Sequence, residues 1–362
     1  MVADVAVVVV DPEPAKALIV GPTLHYLKEH GIPHMIFINK ADHPHVPVAE
    51  VMEALQSIST QSLVLRHVPI RDGESISGYV DLVSERAYAY QPGDKSSLIE
   101  IPEDMKDEND MARQELLEEL SNYDDPLLEM LLEDAVPPKE DIYGYLTKDL
   151  QDNTVVPVFI GAGEQSSGVL RLMKALRHEA PEVSATLERL GGVNGDPAAE
   201  IFKTLHIPRS GKLSVARVWS GTIKDGMNFG DHRLSGLYRL MGYDQEKLDG
   251  AAQGDIVAMG RMEGVNTGDV LTPSGASPKV MPWPETLTPL YSAAIRSERR
   301  EDEVKLSSAI AKLVASEASG RVVDRSMQIH GGLGVAKDLP LERWYRELRI
   351  RRVGEGPSEV QK

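Results

Sequence analysis

The sequence predicts a multidomain chain that begins as an α/β fold and continues as a β fold. Short apolar runs ending in turn-type residues occur at residues 4–10, 34–38 and 155–160, the pattern of parallel strands buried on both faces. From Gly191 the texture changes to Gly, Asn, Asp and Pro between short strand patterns, as in a small antiparallel barrel. Near residue 315 the charge balance reverses, which marks a boundary. A length of 362 residues accommodates two or three domains, each with its own core.

The first run holds a string of valines, but it is too short to span a bilayer and contains Asp4, so it reads as a strand. Residues 15–30 carry Leu18, Ile19, Leu24 and Leu27 at helical spacing and are entered through Pro12 and Pro14. They supply the crossover helix of a βαβ unit. Between Glu100 and Asp141, sixteen acidic residues face only Lys106, Arg113 and Lys139. Even so, Leu116, Leu117, Leu120, Leu127, Leu128, Leu131 and Leu132 form two apolar faces, so a pair of packed helices is expected. Residues 168–180 repeat the helix that follows a strand, closed by Pro181.

Further on, strands are expected at 200–205, 212–220, 234–241, 255–262 and 269–272, with turns at Lys224-Asp225-Gly226 and Gly264-Val265-Asn266. Five prolines between Pro273 and Pro289 mark a linker. Residues 290–296 then read as a strand and 301–314 as a helix, the opening of an α+β unit.

A net charge of −17 argues against free electrostatic attachment to nucleic acid, and DNA is not an expected partner. The N-terminal stretch lacks the basic start and small-residue cleavage site of a secretory signal. With no cysteine in the chain there is no disulfide, thiolate or cysteine metal site. A cytoplasmic chain without membrane attachment is expected. His25, His30, His34, His43, His45 and His67 show no metal-ligand spacing, so no metal is expected.

One motif carries recognisable chemistry. Asn39-Lys40-Ala41-Asp42 directly follows the apolar run at 34–38, at the end of a parallel strand where open α/β sheets bind ligands. A carboxylate at Asp42 can accept from both the ring N–H and the exocyclic amine of guanine, a pairing that adenine does not offer. The Lys40 stem can lie across the purine face while Asn39 ties neighbouring loops together. Gly161-Ala162 ends the third run, in the position of a second base-contacting loop.

These residues and their order resemble elongation factor G and its bacterial elongation factor G-like paralogues. The resemblance runs through Ala3-Asp4-Val5-Ala6-Val7-Val8-Val9-Val10-Asp11, Gly31-Ile32-Pro33-His34-Met35-Ile36-Phe37-Ile38-Asn39-Lys40 and the insert opening Ile101-Pro102-Glu103. It continues in Gly211-Lys212-Leu213-Ser214-Val215-Ala216-Arg217-Val218-Trp219-Ser220-Gly221, Thr267-Gly268-Asp269-Val270-Leu271 and Arg300-Glu301-Asp302-Glu303-Val304-Lys305-Leu306. It implies a partial P-loop GTPase α/β domain over residues 1–190 with a helical insert at about 100–150. An elongation factor Tu-type antiparallel β-barrel would follow at 191–275, then a linker and the start of an α+β third domain at 276–314. The resemblance further implies GTP or GDP as ligand, the ribosome as partner, and a guanine contact set of Asn39, Lys40, Asp42, Gly161 and Ala162. The family's glycine-rich phosphate loop and the switches that hold Mg²⁺ and position water are not read here. Nucleotide binding is therefore expected to be weak or lost, and hydrolysis lost.

Residues 315–362 resemble instead the C-terminal helices of acyl-CoA dehydrogenases, through Gly320-Arg321-Val322-Val323-Asp324-Arg325, the segment from Gln328 to Gly334, Pro340-Leu341-Glu342-Arg343-Trp344-Tyr345-Arg346 and Glu355-Gly356-Pro357-Ser358-Glu359-Val360. That resemblance implies FAD contacts at Gln328, Gly331 and Gly332 and a catalytic base at Glu355. Pro357 stands where many members carry threonine, which puts one flavin contact in doubt. The base would remove a proton alpha to a thioester while flavin accepts a hydride. The family's N-terminal helices and middle barrel, which build most of that pocket, are not read in this sequence, so FAD binding is not expected. Two alternatives to a truncated translational GTPase homologue stay open: a fragment of a flavin-dependent dehydrogenase, and a joined reading frame without a selected function.

Overall fold

A computed structural model describes residues 2–91, 93–192, 196–207, 211–242, 244–278, 318–319, 322–327, 341 and 343–347. The chain divides into two compact units, Met1–Gly192 and Val193–Lys362.

The first unit is built on a parallel sheet. Its strands are β1 (Ala6–Val10), β2 (His34–Ile38), β3 (Ser62–Leu65) and, after a long excursion, β8 (Val155–Ile160). Their order is β1, β2, β8, β3, and every pairing is parallel. Each residue of β2 and β8 is buried, as strands covered on both faces must be. On one face Val8, Val10, Ile36, Ile38, Val158 and Ile160 pack against Leu24 and Leu27 of α1 (Gly21–Glu29) and Val51 and Leu55 of α2 (Val48–Ile58). On the other face Met35, Phe37 and Phe159 meet Leu150, Leu172 and Ala175 from two later helices. The three apolar runs expected as parallel strands are therefore all present. The crossover between the first two is broken into a short turn of helix, Pro14–Ala17, and α1.

Two parts of this unit differ from the sequence expectation. The chain leaves β3 at Arg66 and enters an antiparallel meander, β4 (His67–Asp72), β5 (Ser75–Asp81), β6 (Arg86–Ala89) and β7 (Ser97–Ile99). The acidic insert holds three helices rather than two: α3 (Lys106–Ser121), α4 (Asp125–Leu132) and α5 (Lys139–Gln151). Leu116, Leu117, Leu120 and Leu127 share a core with Ile142 and Leu146 of α5 and with Val68, Val80 and Ala87 of the meander. The third helix opens after Pro137-Pro138, with Glu140 and Asp141 in its first turn, where acidic side chains favour the helix dipole. Helices α6 (Val169–Glu179) and α7 (Val183–Arg189) complete the unit.

A charged cluster lies where the sheet, meander and α6 meet. Arg66 donates to both carboxylate oxygens of Glu179, at 2.8 and 3.3 Å, with both side chains buried. The guanidinium also sits over the Phe159 ring, 5.4 Å from its centre. Arg171 donates from Nε to Asp81 at 2.6 Å, and the other Asp81 oxygen accepts from the Val83 and Ser84 amides. His67, fully buried beside them, has its imidazole pushed down to about 3 by burial, so it is neutral at physiological pH.

In the second unit, among the described residues, seven strands form one antiparallel sheet. Its centre is β9 (Ala198–Ile207) against β10 (Gly211–Ser220). β10 is flanked by β13 (Ile256–Gly260), then β11 (Leu237–Met241) and β12 (Asp244–Lys247); β9 is flanked by β14 (Asp269–Thr272) and β15 (Gly275–Pro278). Two small ribbons add Ile223, Ala251 and Phe229 to the same core as Ile201, Val218, Val257 and Leu271. Trp219 is buried, with its indole N–H donating to Glu200 at 3.0 Å. Each strand expected between residues 200 and 272 is found within a few residues of its place. The expected strand and helix at 290–314 lie outside the described residues. Residues 322–327 and 343–347 are helical.

Two stability measurements follow. Glu179→Ala leaves Arg66 charged and unpaired in the core, and should lower the unfolding free energy of the first unit by about 3–5 kcal/mol in urea titration. Asp149, on α5, has its carboxyl pushed up to about 7, first by burial and then by neighbouring Asp124. Because the unfolded chain loses this proton near pH 4, the folded unit binds it more tightly, and stability falls from about pH 4 to about pH 7. Asp149→Asn removes that loss. The variant should melt a few degrees above the parent at pH 8 and show no such gain at pH 4.

Candidate functional site at the ends of the central strands

The site follows from strand register. Ile38 pairs with Ile160 at the ends of β2 and β8, which sets the two following loops side by side. Asn39 donates its amide to Val10 of β1, and Gly161 donates its own to Ile38, both at 2.9 Å. Ala41 closes the arrangement by donating to the Gly161 carbonyl at 3.0 Å. The Asn39 side chain then accepts from the Gly163 amide at 2.8 Å. The tie between loops expected of Asn39 is present in this bond.

Lys40 adopts a left-handed backbone, φ 60°, uncommon for a residue with a Cβ and typical of loops held in place for function. Its ammonium donates to Asp11 at 2.7 Å, so its stem is anchored between the loop after β1 and the loop after β2. Asp42 is exposed, and no described group hydrogen-bonds its carboxylate. Of the five residues expected to read guanine, the structure therefore brings all five into one pair of adjoining loops.

The second loop is shaped by glycine. A Cβ on Gly161 would meet the Ser167 carbonyl oxygen at 2.3 Å and the Phe37 ring at 2.5 Å. Ala162 and Ser167 exchange backbone hydrogen bonds at 2.9 and 3.0 Å, closing a hairpin whose tip, residues 163–166, is exposed. The amides of Gly161, Ala162 and Gly163 are thus all spent inside the protein. Among the described residues, those of Glu164 and Gln165 have no acceptor. These two escaped the sequence reading because their chemistry is in the backbone, which no residue type announces.

One spelling of the switch motif does occur. Asp141-Ile142-Tyr143-Gly144 reads Asp-x-x-Gly but lies within helix α5, where its backbone bonds are already made. Gln328, Gly331, Gly332 and Glu355 lie outside the described residues. Also among the described residues, no helix is long and apolar enough to cross a membrane.

Fold and loops define the class: a mixed α/β chain whose parallel sheet presents strand-end loops, followed by an antiparallel β unit. Comparison places it more closely. The chain is 37% identical over 363 aligned positions to an elongation factor G-like protein of Synechocystis sp., covering 98% of this chain and 54% of the relative. It also matches a crystal structure of a Thermus thermophilus protein with a TM-score of 0.70 and 26% identity, covering 86% of this chain and 47% of the other. The chain spans about half the length of each. The model of the acyl-CoA dehydrogenase C-terminal domain matches residues 285–362. The chain is accordingly a homologue of elongation factor G-like proteins whose last part also resembles the acyl-CoA dehydrogenase C-terminus.

Asn39→Ala deletes the bond between the loops. We expect a loss of about 1 kcal/mol in stability, with faster hydrogen exchange at the Gly163 amide and unchanged exchange in the core of β2.

Proposed function

We propose that the first unit recognises the guanine base, as a half-site of an elongation factor G-like translational GTPase homologue, with no glycine-rich phosphate loop read in this sequence. The observation that carries this reading is the exposed Asp42 carboxylate, without a hydrogen-bonding partner among the described residues, in a loop tied to its neighbour by the Asn39 to Gly163 bond. Asp42 would accept from the ring N–H and exocyclic amine of guanine. The anchored stem of Lys40 would cover one purine face, and the exposed amides of Glu164 and Gln165 are the donors within the second loop for the guanine carbonyl oxygen. Base contacts alone give weak binding, because most nucleotide affinity in this class comes from phosphate and Mg²⁺ contacts, and this sequence has no glycine-rich loop ending in Lys-Ser/Thr. GTP hydrolysis by this polypeptide is accordingly not expected. The ribosome is the proposed partner and the cytoplasm the proposed location, both from the family resemblance.

The match over residues 285–362 supports a second reading for the tail alone. In it Gln328, Gly331 and Gly332 would face FAD and Glu355 would serve as base. We propose that the tail does not form this site by itself, since the resembling family builds most of the flavin and acyl pocket from parts that are not read here. The purified chain should show no flavin absorption band. A yellow preparation that reduces a dye with acyl-CoA would reverse the assignment.

Calorimetry with GDP and ADP tests the main reading. GDP should bind more weakly than about 1 µM but more tightly than ADP, by about 1–3 kcal/mol for a bidentate base contact. Asp42→Ala should abolish the difference. Sub-micromolar GDP binding would show that phosphate is held after all, and equal affinity for ADP would remove the guanine assignment.

A further inference from the structure

A cleft lies in the first unit, between the meander, α5 and α6. It has a volume of about 180 Å³ and is lined among others by Tyr79, Tyr88, Lys95, Tyr143, Arg171 and Lys174. Its free charged groups are all cationic. The phenol hydroxyls of Tyr79, Tyr88 and Tyr143 and the ammonium groups of Lys95 and Lys174 have no hydrogen-bonding partner among the described residues. Arg171 is nine-tenths buried and its Nη2 has no partner either.

The anionic acceptor, by contrast, is spent. Among the described residues, Asp81 is the only carboxylate in the lining. One of its oxygens is held by Arg171 Nε, and the other by the Val83 and Ser84 amides and the Ser84 hydroxyl. Behind it, Arg66 and Glu179 neutralise each other, and His67 is uncharged. The cleft therefore carries two uncompensated positive charges, Lys95 and Lys174, in a chain whose net charge is −17. Burial pushes the Tyr79 and Tyr143 phenols up, which keeps them protonated as donors.

From this positive charge and these free donors, with the Asp81 carboxylate already engaged, we propose that the cleft binds a small multivalent oxyanion of the phosphate class. The Lys95 and Lys174 ammonium groups would supply charge, and the tyrosine hydroxyls and Arg171 would supply directed hydrogen bonds. The volume admits a phosphate or pyrophosphate but not a whole nucleotide, which needs a pocket of several hundred Å³. This assignment is independent of guanine recognition.

The test is calorimetric titration of the full chain with inorganic phosphate and, separately, pyrophosphate, at low ionic strength and neutral pH. Saturable binding to one site is expected, weakened at least tenfold in Lys95→Ala/Lys174→Ala. Both lysines are exposed, so this variant should keep the parent melting temperature. Lys106→Ala/Lys139→Ala, with the same charge change on exposed lysines of the acidic insert, should bind like the parent. Tyr143→Phe should weaken binding by a smaller factor. Preference for phosphate or pyrophosphate distinguishes a single group from a linked pair. Absence of saturable binding overturns the proposal. So does an equal loss of affinity in the two double variants, which would reduce the effect to general charge.

Discussion

The parallel pairing of β2 with β8 is the contact on which the candidate site depends. Both strands are wholly buried, so their register is fixed by packing on two faces at once, and a slip of one residue would turn every side chain to the wrong face. That register places Asn39 beside Gly161, after which the side-chain bond to Gly163 is geometrically available. Gly161 is required by the same closeness, since a Cβ there would strike the neighbouring loop and the Phe37 ring. The loops owe their positions to the sheet beneath them more than to their own composition.

This explains what could be read from the sequence. The β2 and β8 strands announce themselves as uninterrupted apolar runs, and Asn39-Lys40-Ala41-Asp42 falls at a strand end where its residue types have a chemical meaning. The antiparallel strands after residue 198 are legible because glycine and asparagine turns separate them. β3 escapes notice because it has only four residues, Ser62–Leu65. The meander escapes because its strands carry polar residues inward: His67 and Asp81 are buried, against the alternation that marks a half-buried strand. In the insert the apolar spacing reveals α3 and α4, while α5 has its buried residues Ile142 and Leu146 among charged and aromatic neighbours.

The charged cluster is illegible for another reason. Arg66, His67, Asp81, Arg171 and Glu179 come from three separated stretches of sequence, and each alone reads as an ordinary surface residue. Only the fold brings them together. There, burial requires that each carboxylate have a partner, and the pairing consumes the acceptors while leaving Arg171 Nη2 and the nearby lysines over. The oxyanion-sized cleft is thus a by-product of how the core satisfies its charges.

The two comparisons overlap at the end of the chain. An alignment covering 98% of 362 residues necessarily enters residues 285–362, the segment matched by the acyl-CoA dehydrogenase model. The same residues thus carry likeness to both families, and the model match begins about thirty residues before the boundary that the charge reversal near 315 suggests. For the first unit this overlap is immaterial. Its sheet, its two strand-end loops and its charged cluster all lie before Gly192. The base-reading chemistry proposed here stands or falls on Asp42 and its supporting loops, whichever family the tail is finally traced to.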